Sequence, residues 1–323
     1  MNLIRSSEVF ESDPLSQVLS LLDVRSFLSR RLEASGSWAL RFPEYRHVKF
    51  GGIIEGCRWL WIEGAKQPVR LEAGDFYLLS HGRPYCFASD VDAEPVDGIA
   101  FMQAHLKPDG VVHFDGGEGR TVGAGGRFTF SDETSGLLLT SLPPLIHIRG
   151  SLPHARPLRA ALDLITFETE AIRPGGGATA AGLCSIVLVN ILRAYLAGDE
   201  RPQGWLGALS DRHIGAALNL MHGNIAQRWT VSDLASEVGM SRTAFAERFK
   251  KLVGVAPLNY LTHWRLMTAR AALSREDGNL AAIAESIGYE SDTAFSLAFK
   301  RAFGVSPGRY RVEVQRFERV GRL

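Results

Sequence analysis

Cysteine is scarce in this chain of 323 residues: Cys57, Cys86 and Cys184 are an odd number, and none lies in a Cys-x-x-Cys spacing. That excludes a disulfide framework and a structural zinc finger, and leaves three small apolar thiols. Long hydrophobic runs are also missing, since none approaches the roughly 18 residues of a membrane span. The longest candidate, Gly182–Gly198 (GLCSIVLVNILRAYLAG), carries Asn190 and Arg193 and reads as a buried interface helix. The opening MNLIRSSEVFESDPLSQ has acids and no apolar core, so it is not read as a signal peptide. A cytoplasmic protein without a membrane partner is expected. The Gly-rich stretch GGEGRTVGAGG (Gly116–Gly126) lacks the lysine of a phosphate loop and precedes no helical pattern, so it reads as a flexible loop.

What is present describes two ordinary globular domains. Apolar residues make up 46% and charged residues 22% of a chain long enough for two cores. The net charge of +1 conceals an asymmetry: from Asp211 to Leu323 there are 16 basic against 11 acidic residues, a net of +5, while the rest has 20 against 24, a net of −4. A basic C-terminal part beside a mildly acidic N-terminal part points to a polyanion as partner of one domain.

Between about Ser37 and Val112, HVKFGGII, CRWLWIEG, QPVRLEAG and DFYLLSHG are short apolar or alternating runs punctuated by Gly, Pro and Asp. Such strands predict an antiparallel barrel or sandwich. From Pro157 the period becomes helical in LRAALDLITFETEAI and in Leu183–Leu196, with Gly175–Gly177 between them. DERPQGW after Gly198 reads as a domain boundary, and the chain beyond it as helical.

Two stretches of that helical part nearly repeat: TAFAERFKKLVGVAP (Thr243–Pro257) and TAFSLAFKRAFGVSP (Thr293–Pro307). Upstream of the first, Thr230 and Asp233 have capping-box spacing and open a helix with Leu234, Ala235 and Val238 on one face. Gly239 suits a positive-φ turn, Met240 crosses it, and Ser241 caps a second helix whose inner face is Phe245, Phe249 and Leu252. The second copy repeats the plan with Ile283, Ala284 and Ile287, then Gly288, then Ser291, then Phe295, Phe299 and Phe303. Helix, glycine turn, helix, given twice, is a tandem helix-turn-helix. Pro257–Leu273 between the copies is an unbroken helical pattern of roughly 25 Å. Such a spacer suits two helices that enter successive major grooves, about 34 Å apart.

IAESIGYESDTAFSLAFKRAFGVSPGRYR (Ile283–Arg311) closely resembles the signature of AraC/XylS-family transcription regulators, and Leu209–Arg311 resembles their DNA-binding domain. PVRLEAGDFYLLSHGRPYCF (Pro68–Phe87) is similar to the cupin-like sensor domain of one AraC subgroup. The fold class expected is therefore α+β: a cupin-like antiparallel β-barrel with helices, then an all-α double helix-turn-helix domain. The boundaries expected are a sensor and dimerisation domain at 1–198, a linker at 199–208, the DNA-binding domain at 209–312 and a tail at 313–323.

Each second helix must hide its Phe face, so the opposite face is left for DNA. Stepping 100° per residue turns Thr243 and Glu247 outward, flanked by Ala246 and Lys250, with Ser241 and Arg242 at the helix start beside phosphate. In the second copy Thr293, Ser296, Leu297, Lys300 and Arg301 face outward and Ser291 begins the helix. A glutamate accepts from cytosine N4, whereas Lys300 and Arg301 grip phosphates around a leucine that reads no base by hydrogen bonding. Family members often carry a polar residue at that leucine.

The resemblance also implies a small-molecule effector in the barrel, for which the large side chains Phe42, His47, Trp59, Trp61, Tyr77 and Tyr85 are the candidates. Leu60 and Ile62 make both faces of the Trp59–Trp61 strand apolar, so the sequence leaves its inward face open. Cupin enzymes hold a metal with two closely spaced histidines, a glutamate and a later histidine. His47 through His81 contains no such cluster, so no metal, cofactor or catalytic residue is assigned. The reading is a DNA-binding regulator rather than an enzyme, a homodimer through Leu183–Leu196, with promoter DNA, an effector and possible contact with RNA polymerase as its partners. The rival is a metal- or thiol-dependent redox protein that uses the barrel.

Overall fold

The computed structural model describes residues 13–22, 24–130, 136–171, 173–198, 204–275 and 279–320. The opening residues 1–12 and the first half of the expected linker, 199–203, lie outside the described residues. Two compact units result: Val24–Pro202, and Gln203–Leu323 together with Met1–Asp23.

The first unit carries twelve strands among its described residues: β1 (Arg25–Leu28), β2 (Leu32–Gly36), β3 (Ala39–Phe42), β4 (Val48–Glu55), β5 (Cys57–Ile62), β6 (Val69–Glu72), β7 (Phe76–Leu79), β8 (Tyr85–Ala88), β9 (Val96–Asp97), β10 (Val112–Gly116), β11 (Arg120–Thr129) and β12 (Leu145–Ile148). One sheet runs β10-β2-β11-β4-β7-β12, with β1 also paired to β11, and the other runs β6-β5-β8-β3-β9. Most pairings are antiparallel, but β10 with β2 and β3 with β9 are parallel, so the sheets are mixed. Ile53 and Leu79 from the first sheet meet Leu40, Leu60 and Phe87 from the second in a shared core. Helix α1 (Pro14–Leu21) precedes these strands; α2 (Gly98–Ala104) and the short α3 (Gly136–Leu139) interrupt them; α4 (Arg156–Thr169) and α5 (Gly176–Ala197) follow and pack on each other.

The Gly-rich stretch is not a flexible loop. Its first residues form the turn after β10, but Arg120–Gly126 belongs to β11, which lies between β2 and β4 near the middle of its sheet. Alternation is invisible in a strand whose glycines leave their volume to neighbouring groups. The helix α5 is longer than the sequence suggests: at 22 residues it is long and apolar enough, by length and composition alone, to cross a membrane. Here it packs on α4 and on β1, with Leu183, Val187, Leu188, Ile191 and Leu192 buried.

The second unit is helical: α6 (Gly204–Ala208), α7 (Arg212–Gly223), α8 (Val231–Glu237), α9 (Arg242–Val253), α10 (Pro257–Arg275), α11 (Leu280–Ser286), α12 (Asp292–Phe303) and α13 (Pro307–Val320). It begins earlier than the expected residue 209. Helix α6 packs on α9, and its Trp205 is 1% exposed with Nε1 donating to the Tyr260 hydroxyl at 2.8 Å. Trp205 can only donate, so that hydroxyl accepts from it and donates in turn to His222 Nε2 at 2.7 Å. The other ring nitrogen of His222 then carries the proton and donates to Gln17 Oε1 on α1 at 3.1 Å. Burial pushes the His222 pKa down to about 3, so the ring is neutral and the chain of donors is consistent. Residues 204–208 and α1 thus serve the core of the helical unit.

Candidate nucleic-acid interface and barrel cavity

The two helix-turn-helix units are built from short-range chemistry. Thr230 Oγ1 accepts from the Asp233 amide at 3.1 Å, and the Asp233 carboxylate accepts from the Thr230 amide at 2.9 Å, which closes the capping box on α8. Gly239 (φ +68°) turns the chain and the Met240 amide donates to the Ala235 carbonyl at 2.8 Å; Gly288 (φ +83°) and the bond from Tyr289 to Ala284 at 2.9 Å repeat this. Ser241 and Ser291 accept from the Ala244 and Ala294 amides at 3.3 and 3.2 Å and so cap α9 and α12.

Inward, Phe245 and Phe249 are fully buried on α9, as are Phe295 and Phe299 on α12. Each such ring is worth about 1.5–3 kcal/mol of burial. The third inner residue of α9 is Val253, while Leu252 is half-buried; seven residues carry the stripe round by about two turns, slightly past Leu252. Outward, Arg242, Thr243, Glu247 and Lys250 are exposed and Ala246 is half-buried; Thr293, Leu297, Lys300 and Arg301 are exposed and Ser296 is half-buried. The structure brings each expected set onto one helix face. Leu297 is 67% exposed. The side chains of Arg242, Lys250, Lys251, Lys300 and Arg301 form no ion pair with any described residue, so their charge is available to an outside partner.

Two buttresses escaped sequence reasoning because each joins residues far apart in the chain. Arg248, next to Glu247, is held by Asp211, which accepts from its Nε at 3.0 Å and from Nη2 at 2.5 Å. Burial of Asp211 opposes ionisation, but Arg248 and the amides of Ile214 and His213 outweigh it and hold the carboxyl below its usual range. The same carboxylate caps α7, so α9 is tied to its neighbour. On α10, a 19-residue helix, Arg265 donates from Nε to the Ile225 carbonyl at 2.8 Å and from Nη2 to the Gln227 carbonyl at 2.7 Å.

In the first unit, a cavity of about 370 Å³ opens inside the barrel. Phe42, His47, Tyr77 and Tyr85 line it together, as does Arg58. Trp59 and Trp61 do not: β5 alternates so that Arg58, Leu60 and Ile62 point inward and are buried while both tryptophans are half-buried on the other face. Phe42 stacks on Tyr85 at 4.9 Å, and Tyr77 and Phe87 meet edge to face at 5.2 Å. Lys49 Nζ donates to the Tyr85 hydroxyl at 2.8 Å. Burial, then the charges of Lys49 and Arg127, push the His47 pKa down to about 4, so this lining histidine is neutral.

Among the described residues no group of three or more His, Cys, Asp or Glu side chains is placed to hold a metal ion. Cys86 and Cys184 are buried, and burial raises both thiols, that of Cys184 to about 11. This is the reverse of the activation that a reactive thiolate needs.

Comparison with known proteins decides the family. Residues 13–197 match the family model described as Cupin, and residues 234–313 the one described as Helix-turn-helix domain. A putative AraC-like transcription regulator of Streptomyces lividans is 41% identical over 302 residues, covering 93% of this chain and 98% of its own. The chain belongs to the AraC family of transcription regulators. It is a DNA-binding transcription regulator of that family, with a cupin domain ahead of its helix-turn-helix domain. The HTH-type transcriptional regulator AlkR of Acinetobacter baylyi is 34% identical over 307 residues, covering 93% of this chain and 99% of its own. Among solved structures, the DNA-binding domain of AdpA in complex with a target DNA is 31% identical, covers 32% of this chain and 93% of that one, and has a TM-score of 0.31.

Proposed function

We propose that this AraC-family protein is a cytoplasmic regulator and not an enzyme: it grips promoter DNA with α9 and α12, takes a small molecule into the barrel cavity, and responds by altering its contacts with DNA and RNA polymerase. The DNA face assigned is Ser241, Arg242, Thr243, Ala246, Glu247 and Lys250 on the first motif, and Ser291, Thr293, Ser296, Leu297, Lys300 and Arg301 on the second. One observation carries this reading. The two helices of the repeat present the same pattern of buried and exposed positions, and among the described residues their outward cations form no ion pair. The barrel cavity, with its stacked rings and few polar groups, supports the effector half of the reading.

The direct test is the salt dependence of DNA binding. A fragment from Gly204 to Leu323, which keeps Trp205, is expected to bind promoter DNA with an affinity that falls linearly in log–log coordinates as salt rises, by about 0.9 in slope for each phosphate contacted. Fluorescence anisotropy over a salt series measures it. A folded fragment whose binding is flat in salt refutes the assigned face.

Dimerisation is assigned to α5. Within Leu183–Leu196 the mixed apolar and polar face considered is Ile186, Val187, Val189, Asn190 and Arg193. Val187 must be struck from it, because it is fully buried in its own unit. Ile186 is 49% exposed, Arg193 is exposed, and Val189 and Asn190 are half-buried; α4 adds the exposed Leu164 and Phe167. Ile186→Glu is expected to turn a dimer into a folded monomer, whereas Val187→Asp buries an unpaired charge and unfolds the unit. Sedimentation at micromolar concentration separates the two, and a monomeric native chain rejects the assignment.

A further inference from the structure

The barrel cavity contains a charge that the fold does not neutralise. Arg58 points inward from β5 and is 4% exposed, yet its Nε has no hydrogen-bond partner and no described carboxylate pairs with it. Rings surround it instead: its guanidinium carbon lies 4.5 Å from the Phe87 centroid and 5.8 Å from that of Tyr77. Room for the guanidinium is made on the facing sheet. A Cβ at Gly123 would stand 2.6 Å from Nη2 and 2.8 Å from Nη1, and the β11–β4 register shifts between Val122 and Gly123. A glycine and an irregular strand are thus spent on holding a cation in the barrel.

Arg58 is accompanied by a second cation. Lys49 is half-buried, bonded to Tyr85, and lies 4.6 Å from the Tyr45 centroid and 4.7 Å from that of Tyr85. Burial, then Arg127, lowers its pKa to about 8. Arg30 and Arg127 are exposed and also line the cavity, against the single exposed acid Glu44, which pairs with none of them. A guanidinium stays protonated under all physiological conditions, and a buried charge without a counter-charge is strongly disfavoured. Cation–π contacts return only part of that loss.

Resting on the reading of the barrel as an effector site, we propose that the effector is an organic carboxylate, its anionic group received by Arg58 and Lys49 and its apolar body lying against Phe42, Tyr77, Tyr85 and Phe87. The planar fork of Arg58 suits the two oxygens of a carboxylate. The apolar walls and the size of the cavity, about 370 Å³, favour a hydrocarbon or aromatic body over a sugar or a nucleotide.

The experiment compares isosteric pairs on the full chain by calorimetric titration: hexanoate, octanoate and 3-phenylpropanoate, each against its neutral amide. At least one acid is expected to bind about tenfold or more tightly than its amide. Arg58→Met should erase that preference, and Lys49→Met should reduce it. Without ligand, Arg58→Met should melt at the same temperature as the native chain or higher, since it removes an unpaired buried charge. A melting temperature several degrees lower would mean that Arg58 serves the core, and would overturn the proposal. Amides that bind as well as their acids would overturn it too, but would leave the barrel an effector site for neutral molecules. If no acid and no amide binds, the proposal fails together with the effector reading on which it rests.

Discussion

Gly288→Ala is expected to destabilise the helical unit by about 3 kcal/mol or more, whereas Gly239→Ala costs about 1 kcal/mol, although the two glycines occupy the same place in the repeat. Both have positive φ, +83° and +68°, so each alanine bears the left-handed backbone penalty of about 1–2 kcal/mol. Only Gly288 is crowded. A Cβ there would lie 2.5 Å from the Ala226 carbonyl oxygen and 2.8 Å from Arg265 Nη2, while nothing comes within 4 Å of a Cβ at Gly239. The carbonyl belongs to the backbone and cannot swing aside, and Arg265 is engaged in holding the neighbouring Ile225 and Gln227 carbonyls. Relief therefore requires the turn of the second motif to move, which tilts α12 and weakens DNA binding as well. Chemical denaturation of the two variants measures the difference. Equal losses would show that the packing around Gly288 yields easily.

Glu247→Ala is expected to relax base preference at one or two positions of the operator, changing discrimination by roughly 1–3 kcal/mol, while Lys300→Ala or Arg301→Ala weakens binding to every sequence and lowers the salt slope by about one unit each. The reasoning is geometric. On α9 the exposed Glu247 stands one turn beyond Thr243, and its neighbour Arg248 is tied back to Asp211. On the proposed DNA face Glu247 would meet base edges, and Arg242 at the helix start would meet phosphate. On α12 the corresponding outward position is Leu297, which offers no hydrogen bond, and Lys300 and Arg301 flank it. Leu297→Arg should tighten binding, either generally or at one new base. Binding profiles over a library of single-base operator variants test the assignment. It is reversed if Lys300→Ala alters base preference while Glu247→Ala leaves it intact.

The helix-turn-helix repeat was legible in the sequence because everything that builds it is local. A cap, a glycine and a period of 3.6 residues are read within about twenty positions, and Thr230, Ser241, Ser291, Gly239 and Gly288 all stand in those roles. The outward faces of α9 and α12 followed from the same period. The existence of the strands was local too, and HVKFGGII, CRWLWIEG and DFYLLSHG each supply one.

Which face of a strand turns inward is a different kind of fact. In CRWLWI both faces carry large apolar side chains, so the sequence leaves the inward face open, and only the pairing of β5 with β6 and β8 places Arg58, Leu60 and Ile62 there rather than the tryptophans. The charge of Arg58 is tolerated because Gly123, 65 positions later, vacates the space and the rings of Tyr77 and Phe87 line it. The Gly-rich stretch was misread for the same reason, since the absence of a side chain has meaning only beside the group that fills the gap. Trp205, Gln17 and the Asp211–Arg248 pair join the helical unit across intervals that no window spans. The sequence by itself determined the local elements and the family's double motif. The tertiary structure alone decided what lines the barrel and what holds the recognition helices in place, because burial and charge compensation depend on neighbours in space rather than in the chain.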